Sequence, residues 1–128
     1  MLSKLTHITI FVANQEEALD FYTKKLQFKV HTDAMFGPGL RWLTVAPTEH
    51  PDMELSLFLA DTPEEKALVG KQSAKKPLLA FACEDIHKTY ETFKTNGVKI
   101  VSVPTTASWG ISMAIEDLYG NVLYIVQS

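Results

Sequence analysis

The chain has 128 residues, 46% of them hydrophobic and 21% charged, with a formal net charge of −3. This is enough apolar material for one domain with its own core. The acidic balance and scattered lysines exclude the basic face of a nucleic-acid binder. Cys83 is the only cysteine, so no intramolecular disulfide is available, which fits a reducing cytoplasm. No apolar run approaches the roughly 18 residues of a membrane span, and an alternating strand pattern begins at once where a signal peptide would stand.

Leu5 to Val12 alternates apolar and polar side chains and reads as a strand. Asn14 offers a helix cap, with Glu16 and Glu17 in the first turn, where the helix dipole favours anions. Ala18, Leu19, Phe21, Tyr22 and Leu26 then form a helical stripe. A short strand is expected from Phe28 to His31. Phe36-Gly-Pro-Gly39 is a turn, Leu40 to Ala46 a strand, Pro47 to Asp52 a polar turn, and Met53 to Leu59 a strand. Residues 62–76 read as a linker, in which Pro63-Glu-Glu starts one helical turn. The lysines between Lys71 and Lys76 read as solvated.

The order then returns. Leu78 to Cys83 is an apolar strand. Asp85 caps a helix bearing Ile86, Tyr90 and Phe93, which Asn96-Gly97 ends. Val98 to Val101 is a strand, Pro104 to Trp109 a loop, Ile111 to Glu116 a strand, Asp117 to Asn121 a turn, and Val122 to Gln127 the last strand. The chain is therefore βαβββ, linker, βαβββ, with modules at 1–61 and 77–128 in a single domain. The two halves are offset by about 70 residues, a repeat of pattern more than of letters. Leu26-Gln-Phe28 lies over Asn96-Gly-Val98.

Alternation assigns faces. Ile8, Ile10 and Val12, with Leu43, Val45, Leu55, Leu57 and Leu59, should lie under the helix. The opposite face collects His7, Thr9, Phe11, Trp42, Thr44, Glu54, Ser56 and Phe58. In the second half it collects Leu78, Ala80, Ala82, Ser112, Ala114, Val122, Tyr124 and Val126. A concave sheet lined by aromatics, small residues and a few polar groups has the composition of a small-molecule pocket. Alternation does not place His31 or His87 on this face, and it turns Arg41 away from it.

The opening His7-Ile-Thr-Ile-Phe-Val, the Leu26-Gln-Phe28 helix exit and the closing Glu116-Asp-Leu-Tyr-Gly-Asn-Val-Leu-Tyr resemble the vicinal oxygen chelate (VOC) proteins. This is the glyoxalase, bleomycin-resistance and extradiol-dioxygenase group. The resemblance spans essentially the whole chain. It implies an α+β fold in which two βαβββ modules form a cup-shaped mixed sheet, and a homodimer. It also places the family's metal-ligand positions at His7, Glu54, Leu78 and Tyr124. Leu78 has no donor atom, and an unperturbed phenol is a poor ligand at neutral pH. Two plausible ligands remain where a catalytic metal usually wants about three. The expectation is therefore no metal and no other cofactor.

Two readings follow. The first is a metal-free protein that binds a small, partly aromatic or apolar molecule through His7, Trp42, Glu54, Phe58, Trp109 and Tyr124, as bleomycin-resistance proteins sequester a drug. The second is a VOC-type lyase, isomerase or dioxygenase with a substituted metal site, or a catalyst using His7 and Glu54 as an acid–base pair. The sequence carries no nucleophile elbow, phosphate loop or dinucleotide fingerprint.

Overall fold

The computed structural model describes all residues, 1–128. The first compact unit, Met1–Val69, contains β1 (His7–Val12), α1 (Gln15–Asp20) running into a π turn (Phe21–Lys25), β2 (Lys29–Met35), β3 (Arg41–Ala46), β4 (Glu54–Leu59) and α2 (Pro63–Leu68). The second, Gly70–Ser128, contains β5 (Pro77–Ala82), α3 (Ile86–Thr95), β6 (Lys99–Ala107), β7 (Gly110–Glu116) and β8 (Val122–Gln127). The four-stranded sheets have matching orders, β1-β4-β3-β2 and β5-β8-β7-β6. In each, the first strand runs parallel to the last and the other pairings are antiparallel. This is the expected α+β arrangement of two βαβββ modules. No helix is long and apolar enough to cross a membrane.

In the first unit the helix-facing side is the core. Ile10, Val12, Leu43, Val45, Leu55 and Leu57 are essentially inaccessible to solvent, and burying each contributes about 1.5–3 kcal/mol. Asn14 caps α1 by accepting from the Glu17 amide. The Gln15 side chain then donates to the carbonyls of Arg41 and Leu57. β3 and β4 pair only at Thr44–Ser56 and Val45–Leu55. Gln15 thus satisfies two backbone acceptors where these strands part, as buried polar backbone requires. On the same side Arg41 makes a bidentate pair with Asp33 at 2.8 and 2.9 Å and reaches Glu16 at 2.6 Å, which accounts for its turning away from the other face.

Those hydrogen bonds hold the Asp33 carboxyl below its ordinary value of 3.8, against the opposing effect of burial. A carboxyl with a depressed folded-state pKa stabilises the protein above its unfolded pKa. The contribution disappears as pH falls through the folded one. Denaturant titrations at about pH 5 and about pH 3 should show a loss of stability on acidification that is smaller in Arg41→Met. An equal loss in both proteins would remove this pair as its source.

Both long helices end on a residue with positive φ, Gln27 (φ 64°) and Gly97 (φ 79°). At the end of α3 the amides of Gly97 and Val98 return to the carbonyls of Lys94 and Phe93, the hydrogen-bond pattern of a glycine-terminated helix. At the first helix the Phe28 amide reaches back to Tyr22, one residue further, because the π turn inserts a residue. The aligned exits of the two halves are thus structurally equivalent. Gln27 holds a left-handed conformation that costs a side-chain-bearing residue roughly 1–2 kcal/mol. Gln27→Gly should raise stability by about 1 kcal/mol in urea unfolding, and a neutral or destabilising result would contradict this.

Several boundaries differ from the sequence expectation. β2 extends to Met35 because it pairs with all of β3, with a register shift between Val30 and Thr32. β6 runs through Pro104 to Ala107, although proline donates nothing to a ladder. Pro104 is tolerated because β6 is an edge strand and its register slips between Ser102 and Thr105. Ser108-Trp109 is the tip of the β6–β7 hairpin, since Ala107 pairs with Gly110, and not part of a longer loop. Part of the expected linker is helix α2, fixed by a capping box between Thr62 and Glu65.

Candidate functional site

The face of the first sheet opposite α1 carries graded rungs. His7 and Glu54 are direct partners on the parallel strands β1 and β4. The next rung crosses all four strands as Thr9, Ser56, Thr44 and Thr32. Beyond it lie Phe11, Phe58 and Trp42. Phe11 and Phe58 meet edge to face with ring centroids 6.3 Å apart, and the His7 and Trp42 rings are 5.8 Å apart. That last contact joins β1 to β3 across the intervening β4.

Glu54 organises the polar end. His7 Nε2 lies 3.1 Å from its Oε2, and His31 Nδ1 lies 3.0 Å from its Oε1. Thr44 Oγ1 donates to the same Oε1 at 2.7 Å. The carboxylate side chain is only 13% exposed, whereas the imidazoles are 40% and 41% exposed. A carboxylate only accepts, so both imidazole nitrogens that face it are donors. Three donors on one half-sunken carboxylate satisfy the acceptor capacity that burial demands. Nearby, the Ser56 hydroxyl is buried without a hydrogen-bond partner.

His31 is the residue that alternation misplaces. Val30 pairs with Val45 and Thr32 with Thr44, so His31 is the extra residue of a β-bulge. Val30 keeps its place on the helix side, and His31 joins Thr32 on the opposite face. A bulge re-aims a side chain in this way. No residue type in Lys29-Val-His-Thr-Asp marks it.

The other expected positions belong to the second unit. Tyr124 pairs with Ala80 and Ala114 and donates to Ser112 Oγ at 2.9 Å. Leu78 sits at a register shift between Pro77 and Leu79. Trp109 is 52% exposed at its hairpin tip. Phe58 also borders a groove of about 200 Å³ with Gln15, Leu40, Arg41 and Asp61, where β3 and β4 part. His7, Trp42 and Glu54 do not line it, and its Arg41 is already held by Asp33 and Glu16. The histidine–carboxylate cluster therefore lies at Glu54 and not in that groove.

These residues do not fit a resident metal. His7, His31 and Glu54 are donor types that hold zinc or iron. Each imidazole nevertheless addresses a different oxygen of Glu54, and no group of three or more His, Cys, Asp or Glu side chains is disposed to hold an ion. Leu78 offers no donor, and the Tyr124 hydroxyl is engaged with Ser112.

Comparison with known proteins agrees with the architecture. Residues 4–125 match the family model of the glyoxalase/bleomycin resistance protein/dioxygenase superfamily. The chain is 32% identical over 125 residues to the uncharacterized protein YetH of Bacillus subtilis (strain 168), covering 98% of each chain. It superposes on the crystal structure of UcmS2 with a TM-score of 0.88 and 32% identity, covering 100% of both chains. TnmS3, an antibiotic binding protein from Streptomyces sp. CB03234, gives a TM-score of 0.74 at 26% identity, covering 98% of this chain and 96% of that one. With two βαβββ modules in the matching strand order and a family match over nearly its whole length, the chain belongs to the glyoxalase/bleomycin resistance protein/dioxygenase superfamily.

Proposed function

We propose that the protein binds a small, flat, partly aromatic molecule on the face formed by His7, Trp42, Glu54 and Phe58, without a resident metal ion. The observation that carries this reading is that both oxygens of Glu54 are engaged by protein donors. Its oxygens are occupied by His7, His31 and Thr44, so the carboxylate fixes two imidazoles beside an aromatic patch instead of presenting open metal ligands. Polar groups placed at one end of an aromatic surface orient a ligand, and the aromatic area supplies most of the affinity. The likeness to an antibiotic binding protein supports the same class of activity. The reading includes a homodimer, as the family resemblance implies, acting in the cytoplasm, which the single cysteine fits.

The test uses 7-methoxycoumarin, a flat aromatic without an acidic proton, in titration calorimetry. Saturable binding is expected, weakened about tenfold or more in Trp42→Ala, in the range of a buried aromatic anchor. Elemental analysis of purified protein should find no stoichiometric zinc, iron or manganese. One such ion per chain, lost in His7→Ala, would overturn the metal-free reading. Binding unchanged by Trp42→Ala would overturn the assignment of the face.

A further inference from the structure

We infer that His31, oriented by Glu54, accepts the proton of an acidic hydroxyl group on the bound ligand, so that the ligand class is phenols and enols and not flat aromatics in general. The inference rests on the binding reading above and narrows it.

Each ring nitrogen of the cluster has a determinable role. His7 uses Nε2 toward Glu54, and its Nδ1 is engaged by Thr6 Oγ1 at 2.9 Å. With Nε2 protonated, Nδ1 accepts from that hydroxyl. His31 uses Nδ1, which lies 3.0 Å from both Glu54 Oε1 and Thr32 Oγ1. The proton on Nδ1 leaves Nε2 as a lone-pair acceptor. It is the one imidazole nitrogen of the pair to which the structure gives no protein partner.

Its orientation is held from behind. Glu54 Oε1, which receives the His31 N–H, is itself fixed by the Thr44 hydroxyl, and Thr44 is wholly buried. A carboxylate accepting from one nitrogen of an imidazole sets the tautomer and stabilises the cation formed when the other nitrogen takes a proton. The imidazole remains 41% exposed, so a ligand can reach it. A second, independent feature lies one rung along the same face. The Ser56 hydroxyl is 2% exposed and lacks any partner, an arrangement that costs about 1–3 kcal/mol unless something supplies the missing bond. A ligand oxygen that has given up its proton is a strong acceptor for such a donor.

The step is a proton transfer and balances without a co-reactant. The ligand O–H bond breaks and an N–H bond forms at His31 Nε2. The products are a phenolate or enolate and an imidazolium paired with Glu54. Glu54 is a positioning residue and does not touch the ligand's reacting atom.

The experiment compares 7-hydroxycoumarin with 7-methoxycoumarin, which differ by the acidic proton. The hydroxy dye also absorbs at longer wavelength as its phenolate. At about pH 7, where an ordinary imidazole is still largely neutral and most of the free hydroxy dye keeps its proton, wild-type protein is expected to bind the hydroxy dye about tenfold more tightly than the methoxy dye and to develop the phenolate band beyond that of the free dye. His31→Phe should lose both the preference and the band, so that the two dyes bind with equal affinity. Glu54→Gln should weaken the band. Equal affinity for the two dyes in wild type, with no phenolate band beyond that of the free dye, would overturn the inference and leave the binding reading standing. An equal loss of both dyes in His31→Phe would also overturn it, because His31 would then be only a wall of the site. Failure of wild type to bind either dye would remove the binding reading and this inference with it.

Discussion

Asp117→Ala is expected to lower the melting temperature by about 10 °C or more. One carboxylate oxygen of Asp117 accepts from the backbone amides of Tyr119, Gly120 and Asn121 at 2.9–3.0 Å, and the other accepts from the Asn121 side-chain amide at 2.9 Å. Asp117 is 5% exposed and Asn121 1%, so water cannot readily replace the lost acceptor. Each stranded buried donor costs about 1–3 kcal/mol. With at least two donors buried, a loss of about 3 kcal/mol or more follows, a large share of a small domain's stability. Asp117→Asn should recover part of it, since one side-chain oxygen still accepts while its amide opposes that of Asn121. Thermal melts of the three proteins check this, and a drop of under about 3 °C for alanine would show that the turn is held by other contacts.

Gly70→Ala is expected to be as damaging or worse. A β-carbon at Gly70 would lie 1.9 Å from the Tyr119 carbonyl oxygen and 2.7 Å from its carbon, and Gly70 has φ 73°. Both obstacles are backbone, so rotation of a side chain cannot relieve them. The left-handed conformation alone would cost an ordinary residue roughly 1–2 kcal/mol, and asparagine tolerates it better than most. Gly70→Asn therefore separates the two causes. If the collision dominates, asparagine and alanine are equally destabilising, by about 3 kcal/mol or more. If asparagine is nearly neutral, only the backbone angle matters. Because Gly70 and Asp117 act on the same segment at Tyr119, the double substitution should cost less than the sum of the single ones.

The parts of this molecule that follow a strict period were legible from residue types alone. Ile10, Val12, Leu43, Val45, Leu55 and Leu57 alternate cleanly, and all are buried on one side of the first sheet. The same alternation placed His7, Trp42 and Glu54 on the opposite side, and the structure joins His7 to both of the others. Asn14 and Asp85 cap helices as their chemistry predicts. What escaped the reading are departures from period. The bulge at His31 is fixed by how β2 pairs with β3, a non-local fact with no signature in the five residues around it. The π turn at Phe21–Lys25 likewise adds a residue to a helix whose apolar stripe reads as continuous. Pro104 looked like the end of a strand because its missing N–H matters in a central strand, and only the sheet order reveals that β6 lies at an edge. Thr44 and Ser56 read as small residues on a mixed face. Their burial, and the bond from Thr44 to Glu54, depend on neighbours far apart in the chain.

The extra residue in β2 has a consequence for how such a surface can diversify. Val30 and Thr32 already point to opposite sides and pair with consecutive residues of β3. Removing the residue between them would leave an unbroken strand with every other side chain facing as before. Position 31 is thus an optional insertion: its side chain can be exchanged, or dispensed with, while the framework around it keeps its register. A scaffold with one such slot can acquire or discard a reactive group in a single codon-length event, without repacking its interior.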